Sequence, residues 1–137
     1  MRVMAIDYGE VRTGLCVSDL TGTLPGEAWV IEEWNAQRLA KRIALESAAR
    51  SVSTLVLGLP RNMDGSEGPR AEKSRTLAQL LRDAGAPDVV LWDERRTTVD
   101  AHRILHDNGK REIRHKKTID AVAASLILEA YLGSKQK

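Results

Sequence analysis

The stretch Val3-Met4-Ala5-Ile6-Asp7-Tyr8-Gly9-Glu10-Val11-Arg12-Thr13-Gly14-Leu15-Cys16-Val17-Ser18 decides how this chain is read. Four apolar residues run into an acid, a Tyr-Gly-Glu turn follows, and a second β-prone run occupies residues 13–18. Two such runs separated by turn formers read as successive strands. The segment Thr21-Gly22-Thr23-Leu24-Pro25-Gly26 is rich in turn formers and leads to a third candidate strand at 28–31. Three strands with tight connections predict an antiparallel meander.

After Ile31 the pattern changes. Residues 36–50 carry Leu39, Ala40, Ile43 and Ser47 at helical spacing. Residues 55–59 are an unbroken apolar run ending in Pro60, which suits a strand buried on both faces. A loop at 61–69 leads to a helix over 70–84, with Leu77, Leu80 and Leu81 on one face and Gly85 as its stop. A short buried strand follows at 89–92, then a helix over 97–107 ending on Asn108-Gly109. Thr118 is placed to cap a last helix running to about Leu132. This order predicts an α/β fold with a five-stranded mixed sheet. Its first three strands are antiparallel, the later ones parallel to the first, and right-handed crossovers put helices on both faces. With 137 residues, the expectation is a single domain over 1–137.

Composition narrows the class. Apolar residues at 42% and charged residues at 29% fit an ordinary globular chain and speak against disorder. No apolar stretch is long enough to span a bilayer. The N-terminus meets Asp7 after a few apolar residues, unlike a secretory signal, so a cytoplasmic protein with no membrane partner is expected. The one cysteine, Cys16, lies between Leu15 and Val17 and reads as a buried structural thiol. The net charge of +2 says little about partners, but its distribution says more. Residues 108–117 hold Lys110, Arg111, Arg114, Lys116 and Lys117 against Glu112 alone, a net +4 in ten residues. This segment is expected to be an exposed basic loop that contacts nucleic-acid backbone, or else one that serves solubility.

Three acids stand out by position. Asp7 ends the first strand, Glu94 follows the run Val89-Val90-Leu91-Trp92-Asp93, and Asp120 opens the helical segment Ile119-Asp120-Ala121-Val122-Ala123-Ala124. A buried carboxylate needs a cation, a donor or a proton. One divalent site answers all three acids, because Mg²⁺ takes a few carboxylates and keeps other positions for water and phosphate. Two ions would clamp the attacking and leaving oxygens of a phosphodiester. The competing reading makes them turn residues, with Asp120 near a helix start favoured by the dipole. Asp93, Asp100 and Asp19 are weaker candidates. His102 and His106, four apart, would suit a metal only with a third ligand.

These residues resemble the YqgF family, described as pre-16S ribosomal RNA nucleases and as Holliday-junction-resolvase-like proteins. The resembling segments are Asp7-Tyr8-Gly9 with Gly14 and Ser18-Asp19, then Gly58-Leu59-Pro60-Arg61-Asn62-Met63-Asp64-Gly65, Asp93-Glu94-Arg95-Arg96-Thr97-Thr98 and Asp120-Ala121-Val122-Ala123-Ala124. The resemblance covers roughly residues 3–132. It implies a ribonuclease-H-like fold and a metal-dependent nuclease in which Asp7, Glu94 and Asp120 are catalytic and bind Mg²⁺ or Mn²⁺. Many members have a basic residue where Val11 stands here, and Arg12 would serve in its place. Arg12, Arg61, Asn62, Arg95, Arg96, Lys110, Arg111, Lys116 and Lys117 are the expected substrate contacts. For Arg95 and Arg96 the alternative is pairing with nearby acids such as Asp93 or Asp100.

The expected substrate is the 5′ side of precursor 16S ribosomal RNA. Two alternatives stay open. One is structure-selective cleavage of branched DNA, which calls for a symmetric dimer rather than a monomer. The other is a non-catalytic RNA-binding assembly factor. Asp7-Tyr8-Gly9 also resembles the phosphate loop of actin-like ATPases, but those bind nucleotide between two domains and this chain supplies one.

Overall fold

The computed structural model describes residues 1–96 and 116–135. Three strands open the chain: β1 (Arg2–Asp7), β2 (Arg12–Ser18) and β3 (Pro25–Glu32). Helix α1 (Ala36–Ala49), strand β4 (Val52–Leu59), helix α2 (Pro69–Asp83) and strand β5 (Asp88–Asp93) follow. A single 3₁₀ turn (Glu94–Arg96) leaves β5, and helix α3 (Lys116–Lys135) ends the described chain. The sheet order is β3-β2-β1-β4-β5. β2 is antiparallel to both β1 and β3, while β4 is parallel to β1 and β5 is parallel to β4. The mixed sheet and its strand directions are those the sequence predicts.

Alternation along the central strands builds a core on each face. Met4, Ile6, Leu15, Val17, Leu55 and Leu57 point to one side, where α1 brings Leu39 and Ile43 and α2 brings Leu77 and Leu81. The residues between them, Ala5, Cys16 and Val56, point to the other side. There α3 supplies Ala124, Ile127, Leu128, Tyr131 and Leu132, and Trp92 meets Tyr131 edge-on. The period of two in the strands thus feeds two helical layers. The buried face of α1 is Leu39, Ala40, Ile43 and Ser47, as the spacing predicts. Cys16 is free and buried, and desolvation pushes its thiol up to about 11, as suits a structural residue.

Several boundaries differ from the sequence reading, each for a physical reason. β3 starts at Pro25, not Ala28, because Pro25 pairs with Ser18 on an edge strand, where a missing N–H is tolerated. β4 starts at Val52, where Val52 pairs with Arg2 and the Ser53 hydroxyl donates to the Arg2 carbonyl. Polar Ser53 and Thr54 hide that start from a search for apolar runs. α2 starts at Pro69, whose fixed φ suits the first helical position. Thr118 lies inside α3 rather than capping it, and Lys116 and Lys117 are in the same helix rather than in a loop. The rest of the expected basic loop and the expected helix over 97–107, with Asp100, His102 and His106, lie outside the described residues. Asp19 is a turn residue, its carboxylate accepting from the Thr23 and Leu24 amides and the Thr21 hydroxyl. Among the described residues no helix is long and apolar enough to cross a membrane.

Candidate active site

β1 is the central strand, so Asp7 at its carboxyl end stands at the middle of one sheet edge. Ligands of open α/β sheets bind beyond such strand ends. Asp7 pairs with Gly14 on β2, and Ile6 pairs with Leu57 on β4. Glu94 follows β5, one strand further out, and must reach across β4 to meet Asp7. Gly58 makes that reach possible. A Cβ at position 58 would stand 2.5 Å from Glu94 Oε1 and 2.9 Å from its Cδ, so the glutamate side chain occupies the space a side chain there would fill. On the other flank, a Cβ on Gly14 would collide with the Asp120 backbone carbonyl. Gly14 therefore lets α3 settle directly on β2, which brings Asp120 to the same edge.

Asp7 and Glu94 share a side-chain hydrogen bond. Burial, reinforced by the charge and hydrogen bond of Glu94 and by the charge of Asp120, pushes Asp7 up to about 8, against a smaller pull from Arg70. Burial also raises Glu94, opposed by the Asp7 hydrogen bond and Arg70. The pair therefore holds a proton at neutral pH, with Asp7 donating to Glu94. Asp120 lies near enough to act on Asp7 but faces Arg12, whose Nε is 3.4 Å from Asp120 Oδ2.

Among the described residues, no group of three acid, histidine or cysteine side chains is gathered to hold a metal ion as it stands. The donor set nevertheless fits one. Two buried carboxyls that share a proton are relieved of it by a divalent cation. Oxygen donors suit Mg²⁺ and Mn²⁺. Asp120 would join them by exchanging Arg12 for the ion.

Of the expected substrate contacts, Arg12 pairs with one of the three acids, Asp120. Arg61 pairs with Glu67 at 3.4 Å, a carboxylate that also takes Arg75 at 2.6 Å. Asn62 closes its loop by donating to the Ser66 hydroxyl at 2.9 Å. Arg95 realises the alternative reading. Its Nε and Nη2 donate to Asp93, and its Nη1 reaches the Met63 carbonyl, so its donors are already committed. Arg96 lies over the Trp92 ring at 4.2 Å. Lys110 and Arg111 lie outside the described residues.

Sequence reasoning missed Arg70 and Lys73. Both lie near the start of α2, and with Tyr8, Gly58, Ser74 and Glu94 they line a small pocket of about 30 Å³ beside the acid pair. Arg70 is exposed, and Lys73 donates to Glu10 at 2.9 Å. A signal was present, since helix starts favour acids over cations. Lys73 has its anionic partner in Glu10, while Arg70 acts on the charge of the acid pair itself.

The family model described as "RuvX: Holliday junction resolvase" matches residues 1–134. Curated relatives include the "Putative pre-16S rRNA nuclease" of Halothermothrix orenii, 39% identical over 138 residues that cover 100% of this chain and 98% of the relative. The protein of the same name from Halalkalibacterium halodurans is 41% identical over 138 residues, 99% of each. Among solved structures, RuvC of T. thermophilus in complex with a Holliday junction substrate superposes with a TM-score of 0.62 at 17% identity, covering 98% of this chain and 96% of that one. The fowlpox virus resolvase bound to Holliday junction DNA gives a TM-score of 0.62 at 12% identity, with all of both chains covered. At those identities the likeness concerns the fold, which is ribonuclease-H-like.

Proposed function

The chain belongs to the RuvX family, and from that premise we propose that it is a divalent-metal-dependent nuclease acting on the 5′ side of precursor 16S ribosomal RNA. What supports the chemistry is the buried Asp7–Glu94 pair with Asp120 beside it at the strand ends. What supports the substrate is the name carried by relatives that match this chain along its whole length.

In this reading Asp7, Glu94 and Asp120 hold Mg²⁺ or Mn²⁺. Such an ion, when bound, lowers the pKa of water and neutralises charge at phosphate. The chain's own residues do the rest. Asp7, its shared proton lost to solvent, would hold the ion through its carboxylate. Gly58 keeps Glu94 in reach of it. Arg12, released from Asp120, takes up substrate phosphate together with Arg70 and Lys73. Arg61, Asn62, Arg95 and Arg96 shape the loop that borders the site, and Lys110, Arg111, Lys116 and Lys117 contribute backbone contacts. The residues 1–137 act as one nuclease domain, with the cytoplasm as its place of work.

The family description favours a second reading, cleavage of branched DNA. The test offers purified protein a precursor 16S fragment and a four-way DNA junction side by side, with Mg²⁺ or Mn²⁺, and measures the solution mass. Cleavage of the precursor by a monomer is expected. Paired cuts in the junction by a symmetric dimer would replace the first reading with the second.

A further inference from the structure

A second opening adjoins the acid pair. It is a groove of about 710 Å³ between the turn after β1, the link from β3 to α1, and the first turns of α2. That volume falls within the range of about 300–1,000 Å³ typical of small-ligand sites. Tyr8, Val11, Trp34, Pro69 and Lys73 are among its lining residues. Tyr8, Glu10 and Lys73 also line the pocket beside Glu94, so the two spaces adjoin across a shared wall.

Trp34 is the unusual member. It is 75% exposed, whereas Trp92 is buried and Trp29 is half-buried with the Arg50 guanidinium over its ring at 4.1 Å. Trp34 sits one residue before Asn35, whose side chain caps α1, so the backbone that carries the indole is fixed. Arg38, held to Glu33 at 3.3 Å, lies 5.9 Å from the ring centroid. An exposed indole at a capped helix start, beside a groove that shares the Lys73–Glu10 pair and Tyr8 with the pocket at the acid pair, has the parts of a stacking platform for single-stranded nucleic acid.

We propose that Trp34 stacks an unpaired nucleobase of the substrate strand, a few nucleotides from the scissile bond. The strand would leave the acid pair past Arg70 and Lys73, with phosphate on the cations and a base on the indole. A paired duplex offers no free base face to such a platform. The substrate class would therefore be nucleic acid that is single-stranded next to the cut. This inference rests on the nuclease reading for its direction.

The test measures binding of one oligonucleotide, single-stranded and annealed to its complement, to the parent, Trp34→Ala and Trp34→Phe. EDTA is present so that nothing is cut, and cleavage of the precursor 16S fragment with Mg²⁺ is assayed in parallel. The expected result is that Trp34→Ala weakens single-strand binding by about five-fold or more, the value of one modest base–aromatic stack. Phe should restore most of it, duplex binding should hardly change, and the single strand should quench parent tryptophan emission more than that of Trp34→Phe. An equal loss for single strand and duplex, or no loss at all, overturns the platform. That includes the case in which this face docks a protein instead. If the parent cleaves the fragment and Trp34→Ala binds as well as it does, the platform falls and the nuclease reading stands. If the parent cleaves nothing yet single-strand binding still depends on an aromatic at 34, the reading falls and the platform stands.

Discussion

Glu94 lies where a side chain on Gly58 would be, with its Oε1 2.5 Å from the position of the absent Cβ. One missing side chain on β4 thus lets an acid that follows β5 join an acid at the end of β1. The arrangement predicts a sharp contrast between two glycine substitutions. Gly58→Ala meets the movable end of a side chain, so it should cost little stability but cut cleavage by about 100-fold, the order expected when a catalytic group shifts by about 1 Å. Gly14→Ala meets the backbone of α3, so it should cost about 3 kcal/mol or more and lower both properties. Thermal unfolding and cleavage of the two variants check this, and equal losses of stability would contradict it.

Metal-free stability should depend on pH through Asp7. The folded protein keeps the Asp7 proton up to about 8, while an unfolded chain releases it near 3.8. Between those values folding takes up a proton, so stability is highest below the lower value, falls as pH rises, and levels off above the higher one. Divalent metal competes with that proton, so its stabilising effect should grow with pH over the same window. Melting curves in EDTA at about pH 5 and about pH 9, for the parent and for Asp7→Asn, read this. The Asn variant should have the smaller drop.

Arg12 is both a competitor and a helper. It holds Asp120 in the absence of metal, at 3.4 Å, and in the proposed mechanism it moves to phosphate. Arg12→Gln should therefore tighten Mg²⁺ or Mn²⁺ binding and still lower cleavage at saturating metal. Titration calorimetry followed by cleavage kinetics separates the two effects. Weaker metal binding would show that Arg12 supports the metal ligands rather than restraining them.

Much of this was legible from the sequence because it rests on local rules. The two-residue alternation in β1, β2 and β4, the buried face of α1 and the acid at the end of β1 each follow from neighbours in the chain. Boundaries set by partners were not legible. Pro25 reads as a turn residue until Ser18 is seen across from it, and Ser53 reads as loop until it reaches the Arg2 carbonyl. The same limit applies in the site. Asp7, Glu94 and Asp120 could be grouped from their places at element ends, but the two glycines that let them approach declare their purpose only in three dimensions. Arg95 looked like a phosphate ligand from its place beside Glu94, yet Asp93, two residues back, takes its donors. Arg70 is only the first residue of a helix in the sequence, and its place beside Glu94 comes from the fold.

Those two arginines should therefore behave differently. Arg70→Ala should lower cleavage about ten-fold or more and reduce the salt dependence of substrate binding by about one unit of slope. Arg95→Ala removes an exposed, solvent-screened pair and should leave the salt slope nearly unchanged. Binding measured across a salt series tests both, and a larger slope change for Arg95 would reverse their roles.

The central claim is that Asp7, Glu94 and Asp120 form one metal site. Three carboxylates at one sheet edge repel each other, so neutral replacements should spare or even raise metal-free stability while removing activity. Losing a structural acid would lower both. The most direct measurement is unfolding and cleavage of Asp7→Asn, Glu94→Gln and Asp120→Asn, each with and without Mg²⁺ or Mn²⁺, on a substrate the parent cuts. The account predicts intact folding, loss of the metal-induced rise in melting temperature and loss of cleavage in all three, with Asp7→Asn the most severe. Near-normal cleavage in any two of them would contradict it.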